Sequence, residues 1–284
     1  MLLSLCMNKK PIIAIMYDYD HTLCKEDMQN YGLAPALGLT PNEYWAKVSK
    51  NTKDSQCEMI LSFLYSTVRQ ALTKGIKPTR KWFNSLGKNI EHYPGVLTWF
   101  TKMNEYAKSK GIILEHYVVS SGNKEIIEGG PIAKEFKKIF ACEYYYDKDT
   151  KLAVWPKFVI NYTQKTQYLY RIEKGVLDVN DDVSVNTKSK PRIPHSNMIY
   201  IGDGITDVPC MTVVKNSGGH SIAVYDKEKK EVALKLMQEG RISYACLADY
   251  RKDKELDKVV KLIIDNVSIH EKLAHRRAKE KKKL

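Results

Sequence analysis

The 284-residue sequence predicts an α/β fold in which helices cover both faces of a parallel sheet. Short apolar runs rich in β-branched residues, such as Ile12 to Met16, are typical of strands buried on both faces. From Gly95 onward, helical patterns alternate with such strands, whereas residues 25–92 carry helical patterns and no strand signal. The order is therefore strand, helical insert and repeated helix–strand pairs, and it favours parallel strands joined by crossovers.

The helical insert carries its own start and stop signals. Thr40-Pro41-Asn42-Glu43 is a capping box with proline at the first helical position. Apolar residues then recur at helical spacing from Ile60 to Leu72, and Thr79 opens a third, short helix. Tyr93-Pro94-Gly95 ends the insert. We therefore predict a helical cap domain of residues 25–92, and an α/β core domain of residues 1–24 and 93–284.

The core sequence resumes the α/β alternation after the insert. The patterns predict helices over Val96 to Tyr106, Ala133 to Phe140 and Lys165 to Lys174, a hairpin over 144–155, and a loop over 176–195. They predict further sheet strands over 112–119, 198–201, 221–225 and 242–247.

Composition and charge narrow the class of protein. The 43% hydrophobic and 28% charged residues are ordinary for a globular protein and exclude wholesale disorder. The net charge of +13 suggests an acidic partner, whether phosphate, nucleic acid or a membrane surface. About half of the excess lies in residues 251–284, with twelve Lys/Arg against six Asp/Glu. We interpret Lys279 to Lys283 as a solvated helix end.

Cysteine usage and hydropathy predict a soluble, cytoplasmic protein. The six cysteines have neither CxxC nor Cys/His metal spacing, which is typical of reduced thiols. The apolar segment Met1 to Met7 is too short to span a membrane, and no segment reaches eighteen apolar residues. We expect no membrane partner.

Polar side chains follow several of the predicted strands. Functional groups of open α/β sheets lie just past the carboxyl ends of their strands. The candidates from such ends, and from one helix start, are Asp18, Asp20, Ser120, Lys165, Asp203 and Asp207. We interpret the neighbouring Ser121 as a turn residue.

This set of residue types is suited to phosphoryl chemistry. Converging carboxylates repel one another unless a cation joins them. A set of oxygen ligands without His or Cys suits Mg²⁺. Lysine and serine side chains can hold the oxygens of a phosphoryl group, and a carboxylate can attack its phosphorus to form an aspartyl-phosphate.

The sequence resembles the haloacid dehalogenase-like superfamily. Asp18-Tyr19-Asp20-His21-Thr22 matches its DxDxT signature, and Gly202-Asp203-Gly204-Ile205-Thr206-Asp207 matches its GDxxxD motif. Val118-Val119-Ser120 is similar to its hydrophobic-then-serine motif, and Lys165 lies in the interval of its lysine. The resemblance covers about residues 11–250 and implies a Rossmann-like core.

The resemblance also implies roles for these residues. Asp18 would be the nucleophile, and Asp20 the general acid and base. Ser120 and Lys165 would hold the phosphoryl group. The residues implied around Mg²⁺ are Asp18, Asp20, Asp203 and Asp207. About 37 residues separate Lys165 from Gly202, which is longer than expected, so other lysines compete for its role: Lys174, Lys157 and Lys151.

Details narrow the choice within the superfamily. The dehalogenase branch lacks the second Asp, so Asp20 indicates a phosphatase or phosphomutase. The helical insert resembles the cap of the phosphoserine phosphatase-like group. In that group an acid shortly after the first motif pairs with the substrate's ammonium, and this chain offers Glu26 or Asp27 there. His21 departs from the usual small residue.

The sequence thus predicts a Mg²⁺-dependent phosphatase that hydrolyses a small phosphorylated metabolite through an aspartyl-phosphate. Two alternatives stay open at this stage. One is a phosphotransferase or mutase of the same fold. The other is a basic nucleic-acid-binding protein with this fold, although the intact carboxylates argue against a nucleic-acid partner. We expect a monomer or homodimer.

Overall fold

The structure is a computed structural model that describes residues 10–187 and 190–281. The apolar segment Met1 to Met7, which includes Cys6, lies outside the described residues. So do Lys282 and Lys283 of the interpreted helix end. Within the described ranges, no helix combines the length and apolar character that crossing a bilayer requires. The cytoplasmic location stays a prediction.

The described residues form a seven-stranded sheet with the order β4-β3-β2-β1-β5-β6-β7. The strands are β1 (Ile12–Tyr17), β2 (Ile113–Asn123), β3 (Lys138–Tyr146), β4 (Ala153–Phe158), β5 (Met198–Gly202), β6 (His220–Tyr225) and β7 (Tyr244–Leu247). All neighbours pair in parallel except β3 and β4. The predicted α/β class with a parallel sheet is confirmed.

Helices connect the strands. Within the described ranges they are α1 (Met28–Tyr31), α2 (Leu33–Ala36), α3 (Pro41–Ser55), α4 (Met59–Thr73), α5 (Arg80–Leu86), α6 (Val96–Ser109), α7 (Lys124–Glu128), α8 (Lys165–Lys174), α9 (Asp182–Asn186), α10 (Val208–Asn216), α11 (Lys230–Gln238) and α12 (Glu255–Lys281). Short 3₁₀ helices cover Gly87–Asn89, Ala133–Glu135, His195–Asn197 and Ile205–Asp207.

Strand β1 occupies the centre of the sheet. Its residues from Ile13 to Tyr17 are fully buried, because strands pair with both of its edges and helices cover the sheet. Tyr17 lies opposite Val118 of β2 and Ile201 of β5. The carboxyl ends of these three strands therefore meet at one edge, where the candidate site residues follow.

Residues 25–92 contain five α-helices, α1 to α5. The capping box at Thr40 is present: Glu43 N donates to Thr40 Oγ1, and Thr40 N donates to Glu43 Oε2. The segment also packs on the core, since Phe83 stacks on Tyr144 with ring centroids 4.9 Å apart. Tyr144 OH donates to the Leu64 carbonyl at 2.9 Å. The division into cap and core domains stays a prediction.

Two predictions are wrong: the loop predicted over 176–195 contains the short helix α9 (Asp182–Asn186), and one predicted helix is absent. The helix expected over Ala133 to Phe140 is a single 3₁₀ turn followed by β3. Its apolar spacing fits a helix, but parallel pairing with β2 overrides it and places Phe140 opposite Val119. The predicted hairpin is present as β3 and β4, with Tyr145 opposite Trp155.

Candidate active site

The loop after β1 presents its two aspartates at the centre of the sheet edge. Asp18 N donates to the Ile201 carbonyl at 2.9 Å, which fixes the start of the loop against β5. His21 adopts a left-handed conformation with φ of 53°, and the chain turns back so that Leu23 N donates to the Tyr19 carbonyl. Uncommon backbone conformations of this kind often occur at functional sites.

A buried lysine lies between two carboxylates. Lys165 Nζ is 3.1 Å from Asp18 Oδ1 and 2.8 Å from Asp207 Oδ1. Tyr200 OH also donates to Asp207 Oδ1, at 2.7 Å. The Lys165 side chain is only 1% exposed, so its charge requires these partners. Burial alone would lower the pKa of Lys165, but the carboxylates of Asp18 and Asp207 outweigh it and raise the pKa.

Three carboxylates form a compact group suited to a cation. Asp18, Asp203 and Asp207 each place an oxygen within 4.8 Å of the others. Asp207 Oδ2 is buried and has no hydrogen-bond partner among the described residues. Burial and the Asp207 charge raise the pKa of Asp18 to about 7, against the opposing effect of Lys165. The same two causes raise the pKa of Asp203. An oxygen set of this kind fits a hard divalent ion such as Mg²⁺.

Asp20 lies outside this three-carboxylate group. Its Oδ1 accepts a hydrogen bond from Met28 N at 2.7 Å, at the start of the helical segment. Removal from water, followed by the nearby charges of Asp27 and Asp18, raises its pKa well above the usual range. Gly122 of β2 leaves room for it, since a side-chain Cβ there would approach Asp20 Oδ2 to 3.0 Å and Met28 Cε to 2.1 Å. Burial and the neighbouring carboxylates therefore favour the protonated form of Asp20 beside Asp18.

Ser120 lies on β2, next to β1, and is 1% exposed. Its Oγ accepts a hydrogen bond from Gly122 N at 3.0 Å, which leaves its O–H as a donor. Ser121 also lines the cavity described below, and its buried Oγ finds no hydrogen-bond partner among the described residues. It lies within β2, so the interpretation of Ser121 as a turn residue is wrong.

The competing lysines lie elsewhere. Lys174 Nζ donates to the carbonyls of Val185 and Thr187, and Lys157 pairs with Glu143. Lys151 Nζ donates to the Lys148 carbonyl. Of the four candidates, Lys165 is the one that the fold brings to Asp18.

A cavity of about 580 Å³ joins these residues to the helical segment. Asp18, Asp20, Ser120, Lys165 and Asp203 all line it. The aspartate site therefore opens into a space large enough for a substrate.

The cavity also distinguishes Glu26 from Asp27, the two acids that could pair with a substrate ammonium. Asp27 lines it, whereas Glu26 is exposed and its Oε2 accepts a hydrogen bond from Asn30. Asp27 Oδ1 is 3.4 Å from His21 Nε2. This contact is the largest of the effects that raise the pKa of His21 to about 8.

Two further residues at the site were missed from the sequence. Tyr200 contacts Asp207, and a tyrosine two residues before the GDxxxD motif was an available signal. Lys229, directly before α11, places Nζ 3.3 Å from Asp203 Oδ2. It lies 26 residues after Asp203, and no motif marks it.

A similar protein from Borreliella burgdorferi is uncharacterized. The two chains are 31% identical over an aligned length of 281 residues, which covers 88% of this chain and 96% of that protein. No protein-family model matches the sequence.

Solved structures with the same arrangement include hydrolases. A crystal structure of a haloacid dehalogenase family hydrolase from Salmonella enterica serovar Typhi superposes with a TM-score of 0.55 at 18% identity, covering 88% of this chain and 70% of that one. A phospho-aspartyl intermediate analogue of phosphoserine phosphatase gives a TM-score of 0.51 at 17% identity, covering 89% and 99%. At these identities the likeness establishes the fold.

Proposed function

Because the chain belongs to the same family as the Borreliella burgdorferi protein and has the haloacid dehalogenase-like fold, we propose that it is a Mg²⁺-dependent phosphatase. Its substrate would be a small phosphomonoester, hydrolysed through an aspartyl-phosphate on Asp18. One observation carries the proposal: Asp18 contacts the buried Lys165 and lines a cavity together with Asp20, whose pKa is raised by burial.

The first chemical step uses both aspartates. An Asp18 carboxylate oxygen forms a bond to phosphorus while the bond from phosphorus to the alcohol oxygen breaks. Asp20 transfers its proton to that oxygen, so the alcohol leaves neutral. The raised pKa of Asp20 supports this role, because a general acid must hold its proton near neutral pH.

The second step reverses the role of Asp20. Its carboxylate takes a proton from water as the water oxygen attacks phosphorus, and the bond from phosphorus to Asp18 breaks. Inorganic phosphate leaves, and both aspartates return to their starting states. Splitting the hydrolysis in this way replaces one difficult displacement by two easier ones.

Ser120 and Lys165 would hold the transferred group. Ser120 retains its O–H after accepting from Gly122, and the Lys165 ammonium has a third N–H beyond those directed at Asp18 and Asp207. These donors would stabilise negative charge on the phosphoryl oxygens.

Asp18, Asp203 and Asp207 would hold the Mg²⁺. The unpartnered Asp207 Oδ2, buried among other carboxylates, fits a cation ligand. When bound, the ion would offset the charge of the phosphoryl group and of the aspartates.

The experiment measures phosphate release from a panel of phosphomonoesters with Mg²⁺ and with a chelator. Asp18→Asn should reduce turnover to background and prevent trapping of a labelled acyl-phosphate. Asp20→Asn should slow both steps by about 10²–10⁴-fold, because one group serves both. Asp54→Asn is the matched control, since Asp54 forms an exposed pair with Lys50 on α3.

Near-normal turnover by Asp18→Asn would refute the mechanism. Activity that resists the chelator would refute the metal requirement. Transfer of phosphate to an added alcohol in preference to water would indicate a phosphotransferase.

A further inference from the structure

The part of the cavity wall that helices α1, α3 and α4 form is uncharged. Helices α1, α3 and α4 contribute six lining residues, and none of them carries a charge. They are Gln29, Trp45, Ser49, Met59, Ile60 and Phe63. Four of the six are aromatic or aliphatic, so this wall favours an apolar group.

The charged groups that line the cavity already have partners. Lys165 contacts Asp18, and Lys229 contacts Asp203. His21, the remaining basic side chain of the described lining, contacts Asp27. A second anionic group on the substrate, such as an amino-acid carboxylate, would therefore have to compete with Asp18, Asp203 or Asp27 for a cation of the described lining. Asp27 likewise contacts His21, so an ammonium would have to compete with that histidine for its carboxylate.

Trp45 presents carbon surface to the cavity. Its indole N–H donates to Asn30 Oδ1 at 3.0 Å, so it is not available to a ligand. The ring packs edge-on against Tyr44, with centroids 5.1 Å apart, and this contact limits its rotation. An indole held in this way, with its polar atom satisfied, can offer a ligand stacking or edge contacts.

The size of the cavity agrees with a ligand larger than a short polar alcohol. Its volume of about 580 Å³ lies within the range of about 300–1,000 Å³ that holds organic ligands with rings.

Resting on the proposed phosphatase function, we propose that the substrates are phosphomonoesters whose alcohol carries an uncharged aromatic or heteroaromatic ring. The phosphoryl group lies at Asp18, and the ring packs against Trp45 and Met59. Trp45 is the specificity-determining residue.

The test compares three substrates: benzyl phosphate, ethyl phosphate and phosphoserine. Benzyl and ethyl phosphate release primary alcohols and differ mainly in the ring. We expect kcat/KM for benzyl phosphate to exceed that for ethyl phosphate by about 10-fold or more, and phosphoserine to be the poorest of the three. Trp45→Ala should reduce the benzyl-to-ethyl ratio about 10-fold, and Trp45→Phe should restore most of it.

Two further variants keep the test independent of folding defects. Tyr65→Ala on α4 is the matched control, because Tyr65 is 57% exposed and lies outside the cavity lining; the ratio should not change. Met59→Lys adds a cation at a position that is 42% exposed and should shift preference toward phosphoserine. A benzyl-to-ethyl ratio near one, or a preference of the unmodified protein for phosphoserine, would overturn the inference while the phosphatase function stands. Hydrolysis of other phosphomonoesters of the panel but of none of these three would also overturn the inference alone, whereas release of phosphate from no member of the panel with Mg²⁺ present would remove the proposed function as well.

Discussion

Replacing Lys165 with methionine tests how the site balances its charges. Lys165 Nζ lies 3.1 Å from Asp18 Oδ1 and 2.8 Å from Asp207 Oδ1, and the side chain is almost fully buried. At about 3 Å and an effective dielectric constant of about 20, each attraction amounts to about 5 kcal/mol before the cost of burying the charges. Removing one partner of a buried ion pair typically costs about 3–5 kcal/mol, because the other charge stays buried.

The loss of stability in Lys165→Met should depend on pH. With Lys165 present the pKa of Asp18 is about 7, and loss of the ammonium raises that pKa further, so at lower pH a proton on Asp18 replaces much of the lost positive charge. We therefore expect Lys165→Met to lower the free energy of unfolding by about 3–5 kcal/mol at pH 8 without metal, and by less at pH 6. Mg²⁺ should stabilise the variant at pH 8 at least as much as the unmodified protein, because it supplies the missing positive charge.

The assay is urea unfolding in a chelator at both pH values, repeated with Mg²⁺ at pH 8. Lys229→Met is the control, because the Lys229 side chain is 39% exposed and its pair with Asp203 is 3.3 Å long. Loss of this pair should lower the free energy of unfolding by no more than about 1 kcal/mol. A free energy of unfolding for Lys165→Met within about 1 kcal/mol of the unmodified protein at pH 8, or a difference between the two that does not change with pH, would refute this account of the charge balance.

Three more predictions concern the metal, acid stability and the C-terminal helix. Because the pKa of Asp18 is about 7, a proton competes with the metal below that pH, and the Mg²⁺ concentration for half-saturation should rise about tenfold per pH unit below 7. Calorimetric affinities that are equal at pH 8 and pH 6 would contradict this. Burial lowers the pKa of His116 to about 3, whereas in the unfolded chain its pKa is about 6.5. Folding therefore keeps this histidine neutral, and the stability that the neutral histidine contributes is complete above pH 6.5 and is lost as the pH falls toward 3. Between pH 7 and pH 5 the loss should be about 2 kcal/mol in urea unfolding, and His116→Gln should remove this part of the pH dependence; an equal drop in both proteins would refute the assignment. A chain ending at Ala274 loses residues that are exposed wherever the structure describes them, so its kcat/KM should stay within a few-fold of the full chain's. An inactive truncated protein with an intact fold would show that the end of α12 completes the site.

The sequence alone was sufficient for features that local patterns encode. An apolar run followed by two aspartates predicted β1 and its loop, because a strand buried on both faces must be continuously apolar. The capping box predicted the start of α3 correctly, since it satisfies backbone groups within four residues. The motif order also predicted which strand ends would carry the candidate site residues.

Tertiary structure decided what depends on contacts between distant residues. The segment after Ala133 has helical spacing, but β2 captures it as β3, because pairing in the middle of a sheet outweighs a local preference. Spacing favoured Lys165 but left lysines 151, 157 and 174 as rivals, and only the packing of α8 brings Lys165 to Asp18. The contact of Lys229 with Asp203, and the meeting of the uncharged wall around Trp45 with the aspartates in one cavity, likewise depend on how separate elements pack. Side chains that meet across a fold leave no periodic signal in the sequence, because the distances that matter to them lie in space and not along the chain.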